Sequence, residues 1–191
     1  MQLSEFLTRY SVRQPKNELG FPIQMQGIAR QSAVLMPLVE RDNEIHLLLC
    51  KRPNYLKHHP GQICFPGGKC EDLDTSPLMT ALRETHEEMG FIVEPKQIIG
   101  EMESYWTLTG FAMKPYIALL KEPPKLNLNK QEVAAAFYLP LSQLIDQKNW
   151  QDIQFTRQFS SYTLTGFQTQ YGLLWGATAQ IIRNLIKHLE I

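Results

Sequence analysis

The chain has 191 residues, 43% of them apolar and 20% charged, with a formal net charge of zero. That length and balance suit one globular domain with its own core. They exclude a protein held to nucleic acid or to an anionic membrane by overall positive charge.

The first ten residues carry Glu5 and Arg9 inside a short apolar pattern. They predict a helix over Ser4–Tyr10 rather than a signal peptide. A Pro/Gly-punctuated arm follows to Gly27, giving an N-terminal helix and arm over 1–31 and a core over 32–191 of a single domain. Ala33–Val39 reads as an apolar strand, Arg41-Asp42-Asn43 as a turn and Glu44–Cys50 as a second strand, making a hairpin. The segment from Pro53 to Gly68 is rich in loop residues. Ser76–Met89 is the clearest helix. Ile98–Trp106 and Lys114–Leu120 read as strands around a turn at Thr109-Gly110, and Lys121–Lys130 as a Pro/Asn-rich loop. Val133–Leu139 is a predicted strand, Leu141–Asp146 a short helix, Phe155–Gln170 a hairpin and Gly176–Leu189 a final amphipathic helix. Irregular alternation of strands and helices predicts an α/β fold, a mixed sheet with helices on both faces. No run reaches the roughly 18 apolar residues that span a bilayer. Cys50, Cys64 and Cys70 match neither a zinc pair nor a disulfide framework and read as reduced thiols in a cytoplasmic protein.

Charge is balanced overall but not locally. From Ile45 to Cys70 there is no Asp or Glu, while Lys51, Arg52, Lys57, His58, His59 and Lys69 all fall there. From Glu71 to Glu103 nine acidic residues face only Arg83 and Lys96. A basic segment before an acidic one can hold an anionic substrate beside a metal cation.

The predicted helix carries the acidic chemistry. Ser76-Pro77 is a strong start and Gly90 a strong stop. At about 100° per residue, Leu78, Ala81, Leu82, Thr85 and Met89 form one buried stripe, with Glu84, Glu87 and Glu88 at its edge. Glu84 and Glu88 are neighbours on successive turns, as are Arg83 and Glu87. Carboxylates so placed repel unless a cation joins them. The candidate metal carboxylates are Glu84, Glu87 and Glu88; pairing with Arg83 can fix Glu87 while Glu84 and Glu88 take the ion. All-oxygen donors favour a hard cation, Mg²⁺ or Mn²⁺.

Before the helix, Phe65-Pro66-Gly67-Gly68-Lys69 brings the backbone into a tight turn. Gly68, five residues, Asp74, eight residues and then R-E-T-H-E-E-M-G-F from Arg83 to Phe91 together resemble the Nudix box. That box runs glycine, five residues, glutamate, seven residues, R-E-U-x-E-E-x-G-U, with U a bulky aliphatic. The departures are aspartate at 74, one extra residue, and Thr85 at the first aliphatic position. Leu47 to Gly68 resembles the signature that precedes the box in the coenzyme A pyrophosphatase family. Arg52, Gly61 and Phe65 to Gly68 match in register, while Lys57 stands where that signature has arginine. Ser104 to Pro115, Glu132 to Leu141 and Leu174 to Ala179 resemble further segments of that family.

The resemblance implies an α/β/α sandwich around a mixed sheet. It implies hydrolysis of the pyrophosphate of a CoA-type small molecule, giving 3′,5′-ADP and 4′-phosphopantetheine, with no nucleic-acid or membrane partner and with a homodimer left open. The candidate catalytic residues are Arg83, Glu84, Glu87, Glu88 and Glu132. Glu87, Glu88 and Glu132 are the alternatives for general base. Arg52, Lys57, Gly67, Gly68 and Lys69 are the candidates for substrate binding. Two rival readings stand beside this one: a Nudix hydrolase of ADP-ribose or NADH, and a Nudix-derived regulatory domain that binds without catalysis.

Overall fold

The apolar run at Ala33 has no polar side to offer solvent, and it becomes the strand around which the fold is arranged. The computed structural model describes residues 1–12, 29–107, 109–157 and 160–190, with side chains described throughout except at 155–162. Most of the expected N-terminal arm lies outside the described residues. β1 spans Arg30–Arg41, longer than expected, and is buried continuously from Ser32 to Val39. Its Val34, Met36 and Leu38 face one hydrophobic cluster, and Ala33, Leu35 and Val39 face another. A strand covered on both faces needs no polar alternation, which is why this one reads as a plain apolar run.

β2 (Glu44–Lys51) pairs antiparallel with β1 across the Asp42-Asn43 turn. β3 (Ile63–Cys64) and β4 (Gly67–Lys69) are short strands inside the segment expected to be loop. They pair with β2 and β1 respectively. The helices α1 and α2 are Leu3–Val12 and Pro77–Met89. β5 is Ile98–Glu101, β6 Tyr105–Trp106 and β7 Phe111–Leu120. β7 lies parallel to β1 over its whole length, and the other neighbours in the sheet run antiparallel, so the sheet is mixed. β8 (Ala135–Pro140) extends it beyond β2 and leads into α3 (Leu141–Ile145).

The single strand expected over Ile98–Trp106 is two. Pro115 of β7 has no N–H to donate to the ladder; between β5 and β6, Met102 N donates to Pro115 O at 2.9 Å. The predicted hairpin Phe155–Gln170 begins earlier and gains a strand. β9 (Trp150–Arg157), β10 (Ser160–Thr169) and β11 (Gly172–Leu174) form a separate antiparallel sheet. Lys51 Nζ ties it to the main sheet by donating to Tyr171 O at 2.8 Å, while the Tyr171 ring stacks on Phe137. α4 (Gly176–Leu189) closes the chain.

α2 covers the face of the sheet that carries Ala33, Leu35 and Val39, through Ala81, Leu82 and Met89. α4, α3 and Phe6 of α1 cover the opposite face. Each large side chain buried this way contributes roughly 1.5–3 kcal/mol. The result is the expected α/β/α sandwich around a mixed sheet. The three cysteines are free, with Cys50 and Cys64 facing each other across β2 and β3. Among the described residues no helix is long and apolar enough to cross a membrane.

Candidate metal and substrate site

Local sequence sets both ends of α2. Ser76 Oγ accepts from Met79 N at 3.3 Å, and Gly90 ends the helix in the left-handed conformation at φ 76°. The two glycines of the preceding loop are needed for different reasons. Gly67 sits at φ 148°, against the backbone of Ala33 and Val34 on the paired strand. Gly68 has an ordinary conformation, but a Cβ there would overlap the Glu84 carboxylate. Close approach of backbone to carboxylate therefore requires glycine at 68, and backbone conformation requires it at 67.

The buried face of α2 differs from the predicted stripe. Leu78 is only partly covered, whereas Thr80 and Glu88 are buried. Thr80 Oγ1 donates to Asp74 Oδ2 at 2.8 Å. Thr85, where the box has an aliphatic, satisfies its hydroxyl on Ala81 O at 2.7 Å. Glu88 is 2% exposed rather than at an edge, and its Oε2 accepts from Gly67 N at 3.1 Å.

One oxygen each from Glu84, Glu88 and Glu132 lies within 4.8 Å of the others. Burial pushes the Glu88 carboxyl up to about 8; Glu84 and Glu132 add to the rise, and Gly67 N–H and Arg52 oppose it. Burial also raises Glu84, against the pull of Arg83. Three oxygen donors of like charge, one of them buried, fit a hard divalent cation, which would supply the missing countercharge. Glu87, expected among the ligands, lies outside this cluster. It is half exposed and accepts from Arg83 Nη1 at 3.1 Å. The same nitrogen donates to Glu84 Oε1, also at 3.1 Å. Arg83 in turn is held by Asp74, whose carboxyl the guanidinium keeps well below the usual carboxylate range.

Glu132 comes from a distant loop. That loop is docked on the C-terminal end of α2, where helix carbonyls lack intrahelical partners. Asn127 N donates to Met89 O and Asn129 N to Glu88 O, at 2.9 and 3.0 Å. Glu132 N and Val133 N both turn back to Asn129 O, so β8 starts at Ala135 and not at Val133. The basic segment reaches the same place at Arg52: its Nη1 is 3.9 Å from Glu88 Oε1, and its buried Nε has no hydrogen-bond partner among the described residues. Lys57 and Lys69 are exposed on the flanking loop and on β4. Arg52, Gly67, Gly68, Glu84, Glu88 and Glu132 are thus brought together. Asp74, which holds Arg83, and Asn129, which binds Glu132, also contribute; in the sequence Asp74 is only a departure from the box and Asn129 only part of a polar loop.

The chain matches known proteins in sequence and in fold. A family model described as the NUDIX domain matches residues 29–159. A protein of Enterobacter sp. (strain 638) named "Uncharacterized Nudix hydrolase NudL" is 34% identical over 185 residues, covering 97% of this chain and 93% of the relative. The protein of that name from Yersinia enterocolitica is 33% identical, covering 99% and 94%. Among solved structures, a MutT/nudix family protein from Enterococcus faecalis superposes with a TM-score of 0.59 at 18% identity, covering 97% of this chain and 68% of that one. The NUDIX domain of Shewanella oneidensis NrtR, complexed with ADP ribose, gives 0.57 at 16% identity over 99% of both chains. Box, fold and nearly full-length relatives agree, and the chain belongs to the Nudix hydrolase family.

Proposed function

We propose that this Nudix hydrolase cleaves the pyrophosphate of coenzyme A or a CoA derivative, giving 3′,5′-ADP and 4′-phosphopantetheine or its acylated form, with Mg²⁺ or Mn²⁺. The supporting observation is the approach of Arg52 to Glu88, at 3.9 Å. Arg52 belongs to the segment that resembles the CoA signature, and Glu88 to the box helix. An anionic group binding at one would meet the cation held at the other.

In this reading Glu84, Glu88 and Glu132 hold the divalent ion. When bound, the ion neutralises charge on the pyrophosphate oxygens and lowers the pKa of water. Arg52 donates charge-assisted hydrogen bonds to phosphate oxygens, with Lys57 and Lys69 adding positive charge at the rim. Asp74 and Glu87 keep Arg83 in place, and Arg83 orients Glu84. The proposal carries with it a small-molecule substrate and a cytoplasmic location.

The test is a side-by-side assay of purified protein with CoA, NADH and ADP-ribose in Mg²⁺ and in Mn²⁺. ADP-ribose belongs in it because the NrtR domain is complexed with that compound. CoA should be turned over fastest. Faster hydrolysis of ADP-ribose or NADH would replace the CoA reading, and no hydrolysis of any would favour a domain that only binds.

A further inference from the structure

Asn129 uses its hydrogen-bonding groups to join two parts of the carboxylate cluster. Its backbone N–H donates to Glu88 O at 3.0 Å, anchoring it to the last turn of α2. Its Nδ2 donates to Glu132 Oε1 at 3.2 Å. Its Oδ1 accepts from Gln131 N at 3.1 Å, and its carbonyl accepts from Glu132 N and Val133 N. The two side-chain contacts require the same amide orientation: a backbone N–H can be met only by Oδ1, which leaves Nδ2 facing the carboxylate. A second brace lies beside it, where Tyr55 Oη donates to Lys130 O at 2.9 Å.

A glutamate on a loop, facing two other carboxylates, tends to swing into solvent. Repulsion and side-chain entropy both favour it. A neutral amide donor opposes that motion without adding charge, and it occupies one carboxylate oxygen while leaving the other available. We propose that Asn129 is the positioning residue that holds Glu132 in the cluster with Glu84 and Glu88, so that its amide sets the affinity of the site for a divalent cation. This rests on the metal reading of the site. Asn129 touches neither the ion nor substrate; it acts through Glu132.

The experiment is calorimetric titration of Mn²⁺ alone into the full chain, without substrate. Asn129→Ser retains an oxygen that can accept from Gln131 N but loses the donor to Glu132. Asn129→Ala loses both, and the backbone bonds that carry the loop persist in each, so whichever variant folds carries the test. Removing a partner that orients a metal ligand weakens binding about 10- to 100-fold, and a loss of at least about tenfold is expected, with the melting temperature of the metal-free protein unchanged. In a Glu132→Ala background the same substitution should add nothing. An equal loss in both backgrounds would show a merely structural role and overturn the proposal. Wild-type Mn²⁺ affinity in the Asn129 variants, with binding abolished in Glu84→Gln, would overturn it while leaving the metal site standing. Wild-type binding in Glu84→Gln would remove the metal site, and this inference with it.

Discussion

Arg83 and Asp74, nine residues apart, are joined by a two-point fork: Nε donates to Oδ1 and Nη2 to Oδ2, each at 3.0 Å. The shorter acid at 74 makes the contact, and it comes with one more residue between loop and helix than the box pattern has. Thr80 Oγ1 and Glu71 N complete the carboxylate's hydrogen bonds. The fork matters because the remaining donor of Arg83 reaches both Glu84 and Glu87.

Asp74→Asn should therefore cost about 1.5–3 kcal/mol, the range for a hydrogen bond to a charged group. Arg83→Lys, which keeps the charge but loses the planar fork, should cost a similar amount. Urea denaturation of the metal-free protein checks both. Unchanged stability in both variants would mean the fork contributes nothing to the fold.

The two glycines should fail differently. Gly68→Ala places a methyl group in the Glu84 carboxylate while its own backbone is unstrained. It should lower kcat and Mn²⁺ affinity at least about tenfold with a small change in melting temperature. Gly67→Ala meets backbone at φ 148° and should lose about 1–3 kcal/mol of stability from strain. Thermal denaturation and a metal titration on each variant separate the two effects.

Stability of the metal-free protein should fall at both ends of the pH range. Glu88 has a folded pKa of about 8, raised from 4.5. Its contribution is fully present below about pH 4.5 and lost as pH rises through 8. Asp74 is depressed in the folded state, so its contribution is present above its ordinary value of 3.8 and lost as pH falls below it. Melting temperatures from pH 5 to 9 should decline toward the alkaline end, and saturating Mg²⁺ should remove the decline. Glu88→Gln should flatten the alkaline limb, raise the melting temperature above pH 8 and lower kcat by orders of magnitude. A wild-type alkaline limb in that variant would clear Glu88 of responsibility.

Substrate choice offers a fourth test. CoA and dephospho-CoA differ only by the 3′-phosphate, and a charge-assisted contact to it is worth about 1.5–3 kcal/mol. kcat/KM should fall roughly ten- to a hundredfold without that phosphate. Arg52→Ala or Lys57→Ala should erase part of the difference. Lys57→Arg should preserve or raise activity if Lys57 acts as a point charge. Equal rates on both substrates would remove the 3′-phosphate contact and leave the pyrophosphatase proposal in place.

What the sequence determined by itself is what depends on neighbours along the chain. Ser76 and Gly90 mark the ends of α2 because capping is local, and the box spacing puts Glu84 one turn from Glu88 because helical rise is fixed. The apolar run at β1 announces a strand covered on both sides. Tertiary structure decided which carboxylates share a site. Glu87 and Glu88 are adjacent, yet about 100° of helical rotation separates them. One faces solvent beside Arg83 and the other is sealed under Gly67 N–H, because β4 packs on one side of α2 only. Glu132 joins Glu84 and Glu88 because a loop beyond three strands caps the end of the same helix, and Asn129 matters for the same reason. The break at Pro115 and the separate sheet of β9 to β11 likewise depend on which strands end up opposite one another. Local spacing carries no record of such pairings, which are settled only when orphaned backbone groups and apolar faces find partners in the folded chain.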